Sequence, residues 1–382
     1  MNNSSSRVAS TRHEPVGSSH DYLCPKAYSP SDLRAYSSSI RYVFKLAHPA
    51  KLCYTMLPDN EVRFIDIGVN LTDPLFRGSY RGRQKHRDDL MDVLERSRKA
   101  GVKSMIVTGG SLEESKEALA LAREHNLYAT VGCHPTRSNE FDAYADGPSA
   151  YLEALDELIR DNLTGPGRVV AVGECGLDYD RLHFSSADVQ RKYFRCQLSL
   201  AKKHHLPLFL HSRSAHEDFI RILGEEGFGS EGGATIGAAG GVVHSFTGST
   251  QECIDYMNMG FCVGINGCGL KTMENLEAVS RLQLEKLMLE TDAPWCSMTS
   301  THASKLYLSN LPSNLKADYL PESKPPEKFV DGLAVKGRNE PCTIGSVAWV
   351  VSQVIPHVSL EQLSHAAWEN TVRVFGLREL MA

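Results

Sequence analysis

Glu174, His211, His244 and Asp292 are the residues of this chain whose types and order can do chemistry together. Each follows a short apolar run, the clearest being Val169-Val-Ala-Val-Gly-Glu174. A side chain at the carboxyl end of a buried strand lies on the rim of an α/β sheet, which in a closed barrel is where catalytic groups gather. Two carboxylates and two imidazoles form a donor set for one or two divalent cations, with a position left for a water whose pKa the metal lowers. In this reading Glu174 bridges the ions, His211 and His244 complete one ion's coordination, and Asp292 binds an ion or orients the attacking water. Singly, each has a plainer reading: a strand-end histidine is more often a hydrogen-bonded structural residue, and Asp292-Ala-Pro294 can be a simple turn. Four such residues at the same end of successive strands make accident the weaker explanation.

Other groups point toward the same rim. His134, in Gly132-Cys-His-Pro135, ends another apolar run; protonation of a leaving group or a phosphate contact competes with a structural hydrogen bond. Arg213 and Arg338 have planar forks that can clamp a phosphate, against the alternative of surface salt bridges, and Asn339 or Glu340 would then anchor a lid. Asp178 and Asp180 read as turn residues or as supports for the ligands rather than ligands themselves.

The elements that must position these groups follow a βα rhythm from residue 61. Eight strands are expected: Arg63 to Gly68, Ser104 to Thr108, Tyr128 to Gly132, Val169 to Gly173, Leu208 to His211, Gly241 to His244, Phe261 to Ile265, and Lys286 to Glu290. Ser111 with Glu114 suggests a capping box, Gly101 a helix stop, and Val189, Tyr193, Cys196 and Leu200 form one stripe of a helix over Ser186 to His205. A last helix is expected around Ile344 to Val354. The fold class is therefore α/β, a TIM-type (β/α)8 barrel over residues 61–380, with a disordered extension over 1–60. Two insertions interrupt it. Gly227 to Gly241, within an insertion near 225–241, reads as a mobile surface loop without chemistry, and 296–341 reads equally as a substrate-facing lid or an inert excursion.

Composition narrows the function. The formal charge is −5 over 382 residues, yet residues 1–60 carry seven Lys or Arg against four Asp or Glu, so the remainder is more acidic still. An acidic body argues against broad wrapping of nucleic acid, although bound cations can reverse the sign locally. No apolar stretch approaches the roughly 20 residues that span a bilayer, so no membrane role is expected. Ten cysteines without a Cys-x-x-Cys pair suit a reducing compartment, cytoplasmic or nuclear, and Cys133 and Cys175 read as packing residues. Arg7, Arg12, Arg34 and Arg41 leave room for a mitochondrial presequence, which Glu14, Asp21 and Asp32 argue against.

The motifs Phe64-Ile-Asp-Ile-Gly-Val-Asn-Leu-Thr-Asp73, Val131-Gly-Cys-His-Pro135, Gly173-Glu-Cys-Gly-Leu-Asp178, Leu210-His-Ser-Arg213, Val243-His-Ser-Phe-Thr-Gly248, Glu290-Thr-Asp-Ala-Pro294 and Arg338-Asn-Glu-Pro341 resemble, in that order, those of the TatD-type metal-dependent deoxyribonucleases, eukaryotic branch included. The resemblance covers residues 61 to 377. It implies a magnesium- or manganese-assisted phosphodiesterase acting on DNA, trimming 3′ ends with nicking of duplex also possible, with Glu174, His211, His244 and Asp292 at the family's ligand positions; a monomer is the default assembly. Many members carry His-x-His where this chain has Gly68 and Asn70. Losing two imidazoles should weaken one ion position and suit magnesium better than zinc. Asn70 can offer its carbonyl oxygen to an ion or its water, or simply stabilise a turn. Phe76, Tyr80 and Trp295 are candidates for stacking bases, with core packing the plainer fate of each. Two alternatives stand beside a nuclease: a deacylase or amidohydrolase acting on a smaller substrate, for which a carboxylated lysine would be typical, and a binding protein whose site has decayed.

Overall fold

In the computed structural model, residues 61–381 are described. The expected extension over 1–60 and its presequence reading lie outside them. Eight parallel strands form one sheet in chain order: β1 (Phe64–Val69), β2 (Val102–Val107), β3 (Tyr128–Val131), β4 (Val169–Asp178), β5 (Leu208–Arg213), β6 (Gly241–Val243), β7 (Cys262–Ile265) and β8 (Leu287–Leu289). The sheet curls until its edges meet. Asp292 N donates to Gly68 O at 2.9 Å and Asn70 N to Ala293 O at 2.8 Å, so the seam at the carboxyl ends is made by the residues flanking the expected site. This is the TIM-type barrel that the alternating pattern predicts.

Apolar side chains fill two layers. Ile65, Ile67, Ile106, Val170, Phe209, Val242, Cys262 and Met288 occupy the barrel interior, joined by Trp368, Val372 and Phe375 from helix Leu360–Phe375. Arg63, just ahead of β1, sits 4.2 Å over the Trp368 ring, so that helix covers the amino-terminal end of the barrel. The second layer lies between strands and surrounding helices and includes Leu90, Leu119, Leu155, Leu198, Phe219, Tyr256 and Leu276.

Local signals hold with two adjustments. Gly101 follows helix Leu90–Lys99 with φ of +85°, the left-handed conformation that glycine adopts without strain. The Ser111 side chain caps helix Leu112–His125 by accepting from Glu114 N at 3.1 Å, but the box is not reciprocated, because Glu114 pairs with Arg137 at 2.7 Å. The helix over Ala187–His204 buries Tyr193 and Leu200, with Val189 and Cys196 half-buried beside them.

The first insertion differs from expectation, and the second follows one of its two readings, the excursion rather than the lid. The stretch before β6 holds a 3-10 segment, Glu231–Ile236, in which Gly232 and Gly233 are buried and Gly232 N donates to Met259 O at 2.8 Å, so it is packed rather than loose. In 296–341, Leu311 and Tyr319 join the outer core, Trp349 Nε1 donates to Tyr307 O at 3.1 Å, and Phe329 stacks on His86 at 4.4 Å. None of its residues beyond Cys296 lines the cavity at the carboxyl end of the barrel.

Candidate active site

Strand β4 is the element that makes the site. Val172 pairs with Leu208 but Cys175 pairs with Leu210, so β4 carries one extra residue at the Gly173–Glu174 step, a bulge of the kind that re-aims a side chain beside a site. Gly173 is required there: its φ is +144° and a Cβ would lie 2.1 Å from Phe209 O. Glu174 therefore stands within a ten-residue strand rather than at its end, and His211 likewise lies inside β5, while His244 and Asp292 follow β6 and β8.

Three imidazoles converge on one oxygen. Glu174 Oε1 lies 2.8 Å from His211 Nδ1, 2.8 Å from His244 Nε2 and 3.3 Å from His134 Nε2. The outward nitrogens of two of these rings face further carboxylates: His211 Nε2 is 3.4 Å from Asp178 Oδ2 and His244 Nδ1 is 3.4 Å from Glu290 Oε2. The result is an alternating chain, Asp178, His211, Glu174, His244, Glu290. A histidine with one nitrogen aimed inward and a carboxylate behind the other is the usual construction of a metal ligand, because the carboxylate fixes the ring and raises its basicity.

His134 is built differently. Its Nδ1 accepts from Thr136 N at 3.1 Å, and a backbone amide can only donate, so the ring proton resides on Nε2, which faces Glu174. His134, Glu174 and His211 place donor atoms within 4.8 Å of one another. Its fixed tautomer makes His134 a hydrogen-bond donor toward the centre, whereas His211 and His244 each have a carboxylate behind the outward nitrogen.

Asp292 lines the same cavity of about 640 Å³ as Glu174, His134, His211, His244, Asn70, Arg213 and Trp295. Its Oδ1 accepts from Asn70 Nδ2 at 2.9 Å and its Oδ2 from Cys296 Sγ at 3.2 Å. The backbone at Asp292 has φ of +53°, a conformation costly for a non-glycine residue, held by the Gly68 and Ala293 seam. Gly68 shows why no histidine stands there: a Cβ would meet Glu290 Oε2 at 2.8 Å and the Phe209 ring at 3.0 Å.

Electrostatics sharpen the picture. Burial opposes charge on Glu174, but His244, His134 and His211 outweigh it and hold its carboxyl well below the usual range. Burial also disfavours charge on His244 and His211, yet the flanking carboxylates raise both, His244 strongly. His134, where burial prevails, falls to about 3 and stays neutral. Burial lifts Asp292 to about 6 and Asp66 to about 8. Asp66 is completely buried, accepting from Thr291 N at 3.0 Å and from Thr291 Oγ1, and so steadies the turn that carries Asp292.

Several positioning groups escape sequence reasoning. Gln197 bonds both backbone polar groups of Cys133, at 2.7 and 2.9 Å, and Gln190 both of Asp178, at 2.8 and 2.9 Å, so one helix face locks the segments bearing His134 and Asp178. Asn339 Nδ2 donates to Thr291 O at 3.0 Å and Asn339 N to Pro294 O at 2.9 Å, anchoring the Asp292 turn rather than a lid.

Arg338 is not the phosphate clamp that its place in the sequence suggests. Its side chain is fully buried, donates to both Asp89 oxygens at 2.7 Å and to Glu340 Oε1 at 2.8 Å, and does not line the cavity, so it cannot clamp a substrate phosphate. Phe76 is buried in the core and Tyr80 packs against His86, which leaves Trp295 as the one stacking candidate on the cavity wall.

An α/β barrel with an imidazole–carboxylate centre at the carboxyl ends of its strands defines the class: a metal-site barrel of the kind that carries out hydrolysis. The model of a family described as TatD related DNase matches residues 65–376, and the chain belongs to that family. It is 45% identical over 317 residues to the Deoxyribonuclease Tat-D of Schizosaccharomyces pombe, covering 82% of this chain and 96% of that one. A 3′-5′ ssDNA/RNA exonuclease TatD of a Rahnella species is 38% identical over 235 residues, 60% of this chain and 78% of the relative. Among solved structures, an uncharacterized amidohydrolase from Saccharomyces cerevisiae superposes with a TM-score of 0.74 at 36% identity, over 82% of this chain and all of the other.

Proposed function

We propose that this protein is a divalent-cation-dependent deoxyribonuclease that trims DNA from 3′ ends as a monomer, in the cytoplasm or nucleus. The observation that carries the reading is the meeting of His211 Nδ1 and His244 Nε2 at 2.8 Å on Glu174 Oε1, each ring backed by a second carboxylate. The names of the relatives supply the substrate class and the polarity. Glu174, His211 and His244 would hold the cation, and Asp292 lines the same cavity. Bound there, a divalent ion supplies Lewis acidity and a water of lowered pKa. Magnesium or manganese fits the mixed oxygen and nitrogen donors, and two imidazoles favour manganese of the pair.

The chain's own groups do the rest. Asp292, held by Asn70 and Cys296, can take a proton from the attacking water near neutral pH. Arg213 presents its guanidinium from the same wall to a phosphate. His134, staying neutral, can donate an Nε2–H hydrogen bond to the departing 3′ oxygen and stabilise its charge until a solvent water protonates it. Among the described residues no lysine lines the cavity, which removes the carboxylated bridge expected of the amidohydrolase alternative.

Incubating the protein with end-labelled single-stranded DNA, across several divalent ions and with a chelator, tests the reading. A ladder shortening from the 3′ end in magnesium or manganese, abolished by chelation, is the expected outcome. Undiminished DNA in every ion would leave a binding protein, and cleavage undisturbed by chelator would remove the metal.

A further inference from the structure

Trp295 is used by none of these steps, yet it exposes 53% of its surface on the wall of the cavity that Asp292 and Arg213 also line. An indole carries a large apolar area whose burial stabilises a fold, so leaving one open at a site forgoes that stabilisation. Its position is nevertheless set: Trp295 N donates to Asp292 O at 2.9 Å, and Pro294 O accepts from Asn339 N at 2.9 Å.

The cations around it are unequal. Arg137 is engaged by Glu114 at 2.7 Å and by Glu140, and Arg181 faces Asp178 at 3.6 Å. Arg213, in contrast, keeps a buried Nε without a partner. An open aromatic face and an uncommitted guanidinium lining one cavity are the pairing with which proteins hold single strands, the base stacking on the ring and the phosphate meeting the cation. A base inside a duplex is already stacked on its neighbours, so only an unpaired end can use the indole without a cost in unpairing.

We propose that Trp295 is the stacking platform for the base at the end of the strand being cut, with Arg213 on the adjoining phosphate, so that unpaired ends are selected. This rests on the nuclease reading. The test measures, by fluorescence anisotropy in manganese, the affinity of the full chain for a short single-stranded oligonucleotide with a cleavage-resistant phosphorothioate end. The 3′ nucleotide is either normal or abasic.

Wild type should bind the abasic end about tenfold more weakly. Trp295→Ala should show the same tenfold loss on the normal end and no further loss on the abasic one, while Trp295→Phe keeps most of the affinity. Losses that multiply, or a Trp295→Ala protein that binds the normal end as wild type does, would overturn the platform while leaving the nuclease intact. A wild-type protein that neither binds nor cleaves any DNA would instead overturn the reading beneath it.

Discussion

Arg338, Arg96, Asp89 and Glu340 make one buried charged cluster of this barrel; His134, His211 and His244 with Glu174, Asp178, Glu290 and Asp292 make another. In the first, two guanidiniums meet two carboxylates: Arg338 is bidentate on Asp89 at 2.7 Å, and Arg96 reaches Glu340 at 2.7 and 3.1 Å. Its charges cancel and only Arg338 Nε lacks a partner. In the second, four carboxylates meet three imidazoles, of which His134 stays neutral, and the outer pairs His211–Asp178 and His244–Glu290 stand at 3.4 Å. A balanced network finishes its own electrostatics and acts as structure. An acid-rich one that opens on a cavity has room for a cation, and that imbalance separates site from scaffold here.

Breaking each cluster should have opposite consequences. Glu174→Ala should lower turnover on 3′-labelled DNA by about a thousandfold or more, the equivalent of about 4 kcal/mol of lost metal assistance, while urea unfolding shows no loss of stability. Arg338→Ala should do the reverse. Leaving Asp89 buried without its partner costs about 3–5 kcal/mol of stability, read by the same unfolding curves, while the folded fraction keeps its KM and its metal affinity. A KM that rises with Arg338→Ala would return that residue to the substrate.

The contrast can be sharpened at the outer edge of the site. Glu290→Gln should keep the fold and weaken manganese binding by about 10–100-fold in calorimetry, since Glu290 backs His244. An unchanged affinity would show that His244 needs no such support.

A further effect, read in the pH dependence of stability, concerns Asp66. Its folded-state pKa of about 8 lies above the ordinary 3.8 because it is buried, so the folded protein keeps a proton that the unfolded chain gives up between these values. Stability should therefore fall as pH rises from about 4 to about 8, by up to about 1.4 kcal/mol per pH unit from this group. Asp66→Asn, unfolded by urea in chelator, should flatten that slope; an identical slope would show that Asp66 is ionised in the native state.

Much of this was legible in the sequence because strands and turns are local. All eight strands stand where apolar runs and turn signals placed them, and the four leading site residues fall on four of them or just beyond. What local pattern could not carry was partnership. Arg338 looked like a phosphate clamp because its acid, Asp89, lies 249 residues away. Gly68 looked like a lost ligand, while the space is filled by Glu290, which belongs to the last strand's end. The bulge that turns Glu174 inward depends on the register between two strands, and Gln190 and Gln197 read simply as polar helix residues. His134 lies on the rim, as the end of its apolar run predicts, but its proton is fixed by a backbone amide that only the fold brings to it.

The central claim is that a divalent cation sits between Glu174, His211 and His244. Anomalous diffraction from a crystal of the protein soaked in manganese tests it most directly. The account predicts a peak within coordinating distance of Glu174, His211 Nδ1 and His244 Nε2, lost in Glu174→Ala; manganese bound elsewhere, or no peak with the cluster intact, would contradict it.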